Sequence, residues 1–212
     1  FILSNTDYMG AGKLLVDMLE RDNDSRSSIY FLNSSSDGIV GVSPGDSVQN
    51  ASMLNITGHF GMNWSPEFLS WYENNFILAE CHFNLGNQDQ ALTILNETLN
   101  GIEQRWSSLG YANATIPRYD DISNNDLLEA IMNEKYKALF LNIQTWSDWR
   151  RTGYPKFTDS QNNSTECGST SNGVGVPRRL LYPEKEKSSN PNCPTGDAVS
   201  YTHLRAHETL LY

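Results

Sequence analysis

The stretch from Pro66 to Trp106 limits what this chain can fold into more than any other. Leu69, Tyr72, Phe76, Ala79 and Phe83 recur at steps of three and four, which places all five on one face of a helix. Gly86 ends that helix, because glycine enters the left-handed C-terminal conformation without a Cβ clash. Asn87 then stands where it can cap a second helix, with Gln90 three residues on to reach back to it. Leu92, Leu95, Leu99, Ile102 and Trp106 make the second stripe. A connection this short turns the two helices antiparallel with their stripes facing. A single hairpin leaves apolar surface uncovered, so further helices must stack on it.

Those helices are sought on either side. Met9, Gly10, Leu14, Leu15, Met18 and Leu19 predict a helix that ends in the charged run Glu20 to Asp24. Ile29 to Val42 is interrupted by the turn signals Ser34 to Gly38, with Pro44-Gly45 just beyond, and reads as a small hairpin or extended loop. Gln49 to Ser65 is a polar loop carrying Met53, Ile56, Phe60, Met62 and Trp64, and Gly110 to Ile122 is a second loop around Pro117. Ser123 and Asp126 form a capping-box start, after which Leu128, Met132, Tyr136, Leu139, Ile143 and Trp146 carry one helix to Trp149. Arg150 and Arg151 fall in its last turn, where cations favour exposed carbonyls, and Gly153 and Pro155 end it. Thr158 to Gly175 is a polar, glycine-rich loop, and Val176 to Tyr182 a short structured segment closed by Pro183. The expected fold is mainly α, with helical hairpins, long irregular loops and minor β.

Charge removes one class of function. Lys plus Arg number 15 against 25 Asp plus Glu, a net charge of −10 that repels phosphate backbones, so nucleic acid is not an expected partner. No apolar run is long enough to span a bilayer, and neither a signal peptide nor a lipid-attachment cysteine stands near Phe1, so the chain reads as a fragment. Cys81, Cys167 and Cys193 have no metal-ligand spacing, and Cys81, beside the first apolar face, reads as a small buried hydrophobe. His203 and His207 are spaced like a helical zinc pair with Glu208 alongside. That pair is discounted, because Val199 to Thr209 matches, residue for residue, one translated frame of a common sequencing-library transposase adapter. The native sequence is therefore expected to occupy residues 1–197 and adapter read-through residues 198–212. Without that tail only His59 and His82 remain, the net charge stays at −10, and no metal site or cofactor is expected.

Three segments are more specific than periodicity: Y-E-N-N-F-I-L-A-E-C from Tyr72 to Cys81, W-S-D-W-R-R-T-G-Y-P-K from Trp146 to Lys156, and V-P-R-R-L-L-Y-P-E-K-E from Val176 to Glu186. In words and in order they resemble the SusD/RagB family of nutrient-binding outer-membrane lipoproteins, most closely its SusD-like branch. The resemblance covers about Phe1 to Asp197, the C-terminal portion of such a protein. An early Asp-x-Arg leading into a Tyr-Phe strand matches Asp24, Ser25, Arg26, Tyr30 and Phe31, and a Gly-Val-x-x-Gly turn matches Gly41, Val42 and Gly45. Ser25 replaces a common proline, and Cys81 a common alanine. The family motif places Tyr72, Glu73, Glu80, Trp149, Arg150, Arg151, Gly153, Pro155, Arg178, Arg179, Tyr182 and Pro183 in structural roles.

The resemblance implies a scaffold of tetratricopeptide-like hairpins, in which Leu85, Gly86 and Ala91 supply the turn and the small residue at the helix crossing. It also implies a cell-surface protein, anchored through an N-terminal lipid, that works as a lid on a SusC-like TonB-dependent outer-membrane transporter and captures oligosaccharides or other nutrients without cleaving them. Sugar recognition asks for aromatic faces beside amide and hydroxyl groups. Trp64, Trp71, Tyr111 and Tyr119 lie in or beside Asn/Ser-rich loops and are the candidate stacking rings. The arginine pairs are read as ties between turns and helices, with Glu73 and Glu80 as partners. A glycosidase would need two carboxylates, and no spacing singles out a pair among Glu73, Glu80, Glu129 and Glu134. A peptide-binding tetratricopeptide adaptor is the alternative, although only one repeat is legible. Asn-x-Ser/Thr sequons at Asn33, Asn55, Asn63 and Asn113 follow from composition and are not read as glycosylation sites.

Overall fold

The computed structural model describes residues 10–34, 38–43, 51–61, 63–111, 114–120, 122–157 and 183–193. The chain divides into two units, Phe1–Pro155 and Lys156–Tyr212. The first holds helices α1 (Lys13–Arg21), α2 (Arg26–Tyr30), α3 (Trp71–Asn84), α4 (Gln88–Ser108), α5 (Asn124–Ala138) and α6 (Gln144–Thr152), and the second holds α7 (Glu184–Ser189). Extended structure among the described residues is confined to isolated bridges, Gly10 with Met53, Gly12 with Val42, Phe31 with Leu54 and Ser34 with Gly38. The fold is mainly α, as expected. The segments Thr158 to Gly175, Val176 to Tyr182 and 198–212 lie outside the described residues, Arg178, Arg179 and Tyr182 among them.

The hairpin is α3 against α4, with α5 laid on both and α6 on α5. Phe76, Ala79, Ala91, Leu95 and Leu99 are fully enclosed at their contact. Helix α3 starts later than its apolar spacing predicts, because the Ser70 hydroxyl caps it by accepting the Glu73 amide at 3.1 Å. Leu69 is left outside the helix and 89% exposed. Glu73 and Glu80 join Phe76 and Ala79 on the buried face instead. Cys81, one position past Glu80, points away from that face and is exposed, so it is not the buried hydrophobe expected of it. The expected caps also differ: Asn87 makes no side-chain cap bond, and the Ser123 hydroxyl donates to Asp126 at 2.7 Å rather than accepting a backbone amide.

Two further expectations are corrected. The segment from Arg26 to Tyr30 is a short helix, not the start of a strand, and extended backbone begins only at Phe31. The single helix expected up to Trp149 is two, broken at residues 139–143. Leu141 takes a left-handed conformation at φ 66°, and Asn142 restarts the helix by accepting the Gln144 amide at 2.9 Å. The break turns Phe140 onto Tyr30, where the rings stack with centroids 5.0 Å apart, and leaves Ile143 77% exposed. Helix α6 then ends as expected, with Gly153 left-handed at φ 79° and Pro155 fully buried.

A buried ionic cluster joins these elements. Arg26 donates to Asp24 from Nε at 2.9 Å and to Glu134 of α5 from Nη2 at 2.6 Å, and all three side chains are fully enclosed. Lys137, also enclosed, bonds Glu134 and reaches Asp22 at 3.0 Å. Burial disfavours the charge on Arg26, but Glu134 and Asp24 outweigh it and raise its pKa above the ordinary arginine value. Gly41 packs where a Cβ would come within 2.6 Å of the Lys13 Cα, at the head of α1. That close approach is the physical reason for the first glycine of the Gly-Val-x-x-Gly turn.

Arg26→Met leaves Asp24 and Glu134 enclosed with Lys137 as their one remaining shared cation and is expected to cost about 3–5 kcal/mol in urea unfolding. A loss below about 1 kcal/mol would show that the cluster does not hold α2 to α5. Gly41→Ala forces its methyl group against backbone, which cannot swing aside, and should cost about 1–3 kcal/mol in the same measurement.

Candidate functional site

The broken helix and the polar loop between α2 and α3 meet in an aromatic cluster. Tyr30 is its centre, stacked on Phe140 and in edge or tilted contact with Phe31, Phe60 and Trp106 at centroid distances of 5.9–6.3 Å. Trp64 stands edge-on to Phe60 at 5.2 Å, and His59 edge-on to Trp106 at 4.6 Å. These rings fold together because the loop turns tightly: the Gly58 and Phe60 amides return to the Asn55 carbonyl at 3.3 and 3.0 Å, and the Trp64 amide to that of Gly61 at 2.9 Å.

One side of the cluster opens into a cleft of about 420 Å³, walled by Tyr30, Phe60, Trp64, Tyr72 and Trp106 and bordered by the 138–144 connection. Its polar groups are few. The Tyr72 hydroxyl donates to Glu67 at 2.7 Å, and Glu67 also pairs with Arg105, whose guanidinium lies 5.4 Å from the Trp106 ring centroid. Burial, with Glu67 adding to it, pushes the Tyr72 phenol up to about 12. Burial and the neighbouring Arg105 hold His59 below its ordinary value of 6.5. The Trp106 indole N–H is buried without an acceptor among the described residues. The cleft thus combines ring faces with a handful of hydrogen-bonding groups, the composition that suits an amphipathic ligand such as a sugar.

Of the four candidate stacking rings, only Trp64 lines this cleft. Trp71 lies over Gly101 of α4, where a Cβ would come within 2.5 Å of its ring, and is 46% exposed. Tyr111 packs edge-on to Trp106 at 5.8 Å. Tyr119 donates to Glu134 at 2.8 Å, inside the ionic cluster. Among the motif residues, Arg151 forks onto Glu80, with Nη2 at 2.7 Å from Oε2, and also holds Asp148, while Arg150 lies 4.6 Å from the Trp146 ring centroid and Trp149 is buried. Glu73 is buried with Oε2 unbonded among the described residues, and Pro183 precedes α7. Sequence reasoning did not single out His59, Glu67, Arg105 or Phe140. The available signal was Arg105 directly before Trp106 at the end of an apolar stripe, and it does not reveal Glu67 as the partner.

A second hollow, polar and of about 720 Å³, lies at the α3–α4 turn against Asn124 and is lined by His82, Asn87 and Gln90. It has no aromatic wall. Among the described residues no group of histidine, cysteine and carboxylate side chains could hold a metal ion, and no helix is long and apolar enough to cross a membrane.

The family model for SusD-like proteins, described as starch-binding and associating with the outer membrane, matches residues 3–183. The chain belongs to that family. No curated protein matches it.

Because the folded environment disfavours protonated His59, the unfolded chain binds more protons as pH falls through 6.5. The stability that His59 contributes is therefore complete above pH 6.5 and lost as pH falls from there through its lower folded value. Urea unfolding between pH 7.5 and 5 should show that loss, and His59→Gln should flatten it. An unchanged slope in the variant would mean that other groups carry the acid sensitivity; Asp22, held below its ordinary 3.8, acts only at lower pH.

Proposed function

We propose that this SusD-like protein captures a glycan at the cell surface and passes it to a SusC-like TonB-dependent outer-membrane transporter, without cleaving it. Membership of a family described as starch-binding at the outer membrane implies carbohydrate binding, and such proteins are generally non-catalytic. The observation that supports a site is the cleft in which Trp64, Tyr72 and Trp106 surround a small set of polar groups. A pyranose offers the matching surface, an apolar C–H face for a ring and hydroxyls for the rim.

The carboxylates support binding rather than hydrolysis. Of the four considered, Glu80 is taken by Arg151 and Glu134 by Arg26, Lys137 and Tyr119. Among the described residues Glu67 is the only acid in the cleft lining, and a second carboxylate for glycoside cleavage is not among them. Arg151 fastens α6 to α3 through Glu80, and Gly153 ends α6 in a left-handed conformation.

The test is to titrate the full chain against a panel of neutral and acidic oligosaccharides by calorimetry while assaying for new reducing ends. Saturable binding without cleavage is expected, and Trp64→Ala should weaken it by about threefold to tenfold, the worth of one aromatic contact. Release of reducing ends would overturn the non-catalytic reading. Binding untouched by Trp64→Ala would move the site away from this cleft.

A further inference from the structure

The residues 65–69 run along the mouth of the cleft. All five are exposed, and among the described residues none makes a backbone-to-backbone hydrogen bond. Phe68 and Leu69 are 93% and 89% exposed, so apolar burial does not hold the segment down either. One side chain does. Glu67 gives one carboxylate oxygen to Arg105 Nη2 and accepts the Tyr72 hydroxyl on the other at 2.7 Å.

The donor set is that of a carboxylate site. A guanidinium and a phenol address the two oxygens of one carboxylate, and the guanidinium lies 5.9 and 5.4 Å from the Tyr72 and Trp106 ring centroids, which fix its orientation. Among the described residues, Arg105 is the only arginine or lysine lining the cleft, and Glu67 the only acid. The pair is partly exposed, with 28% of the Arg105 side chain and 36% of the Glu67 side chain accessible, so it is worth no more than about fivefold in an equilibrium constant. A competitor can displace it.

We infer that Arg105 and Tyr72 form a carboxylate subsite at the cleft mouth, that Glu67 is its resident occupant, and that a uronate unit of an acidic glycan exchanges with it. This rests on the cleft being the glycan site. The exchange replaces one anion with another on the same donors, so the local charge balance is kept while Glu67 passes into water. Residues 65–69 are then released from their hold. A neutral sugar offers the guanidinium only uncharged hydroxyls, which do not match a carboxylate, and leaves Glu67 in place.

The experiment compares trigalacturonate with maltotriose on the full chain, by calorimetry and by limited chymotrypsin cleavage after the exposed Phe68, which needs residues 65–69 freed from their hold. In the wild type, trigalacturonate should bind and speed that cleavage, and maltotriose should not speed it. Glu67→Gln should raise affinity for trigalacturonate by about twofold to fivefold, shift maltotriose by less, and be cut fast before any ligand is added. Arg105→Gln should weaken trigalacturonate by about tenfold and maltotriose by less than about threefold. Equal behaviour of the two sugars in all three proteins, or cleavage after Phe68 indifferent to Glu67→Gln, would overturn the subsite while leaving glycan capture standing. Silence towards both sugars would overturn the glycan reading and this inference together.

Discussion

Four enclosed charges set the terms for the rest of the structure. Arg26 and Lys137 are matched by Asp24 and Glu134, and none of the four side chains is accessible to solvent. Moving such groups out of water costs several kcal/mol each, and only a closed set of short contacts offsets that. The set joins α1, α2, α5 and the loop before α5. Asp24 and Arg26 bring the turn and α2, Glu134 and Lys137 bring α5, Lys137 extends to Asp22 at the end of α1, and Tyr119 adds the loop before α5. A slip of any one element would strand a charge, so the cluster selects one arrangement of helices more sharply than apolar packing alone.

The parts of the fold that could be read from the sequence are those fixed by local spacing. The stripes of Phe76 and Ala79 and of Leu95, Leu99 and Ile102 are buried where periodicity puts them. The break after Ala138 was hidden by that same spacing. Leu139 and Ile143 stand four apart and continue a helical pattern, which masked the one local signal, the cap-forming Asn142, while the left-handed Leu141 carries no mark of its own. The Asp-x-Arg motif drew attention to Asp24 and Arg26, but not to Glu134, 108 residues away from Arg26, because no local pattern encodes that contact.

The candidate site was less legible for a related reason. Trp64 and Tyr119 look alike in sequence, each an aromatic residue in a polar loop. One lines a cleft, and the other spends its hydroxyl on Glu134. The difference comes from long-range partners. Glu67 and Arg105 present the same problem from the other side, since each is an ordinary charged residue until the fold places them across one cleft mouth. The pairing of Glu80 with Arg151 is likewise set by tertiary structure: α5 and its break decide where α6 lies, and only then does the fork onto Glu80 form.

Tyr30 joins scaffold and site. Its hydroxyl donates to the Lys137 carbonyl at 3.0 Å, and burial raises its pKa above the ordinary phenol value, so it stays a neutral donor. Its ring forms the floor of the cleft, stacked on Phe140. The floor is thereby tied to the ionic cluster and shares its rigidity. The rim is built the opposite way, with residues 65–69 exposed and fastened through one partly exposed carboxylate. Local stability follows buried contacts, so opening should begin at the rim and leave the floor in place. On the proposed reading that order serves capture: the ring faces keep their geometry between ligands, while Glu67, held by a partly exposed pair, is the group that exchanges.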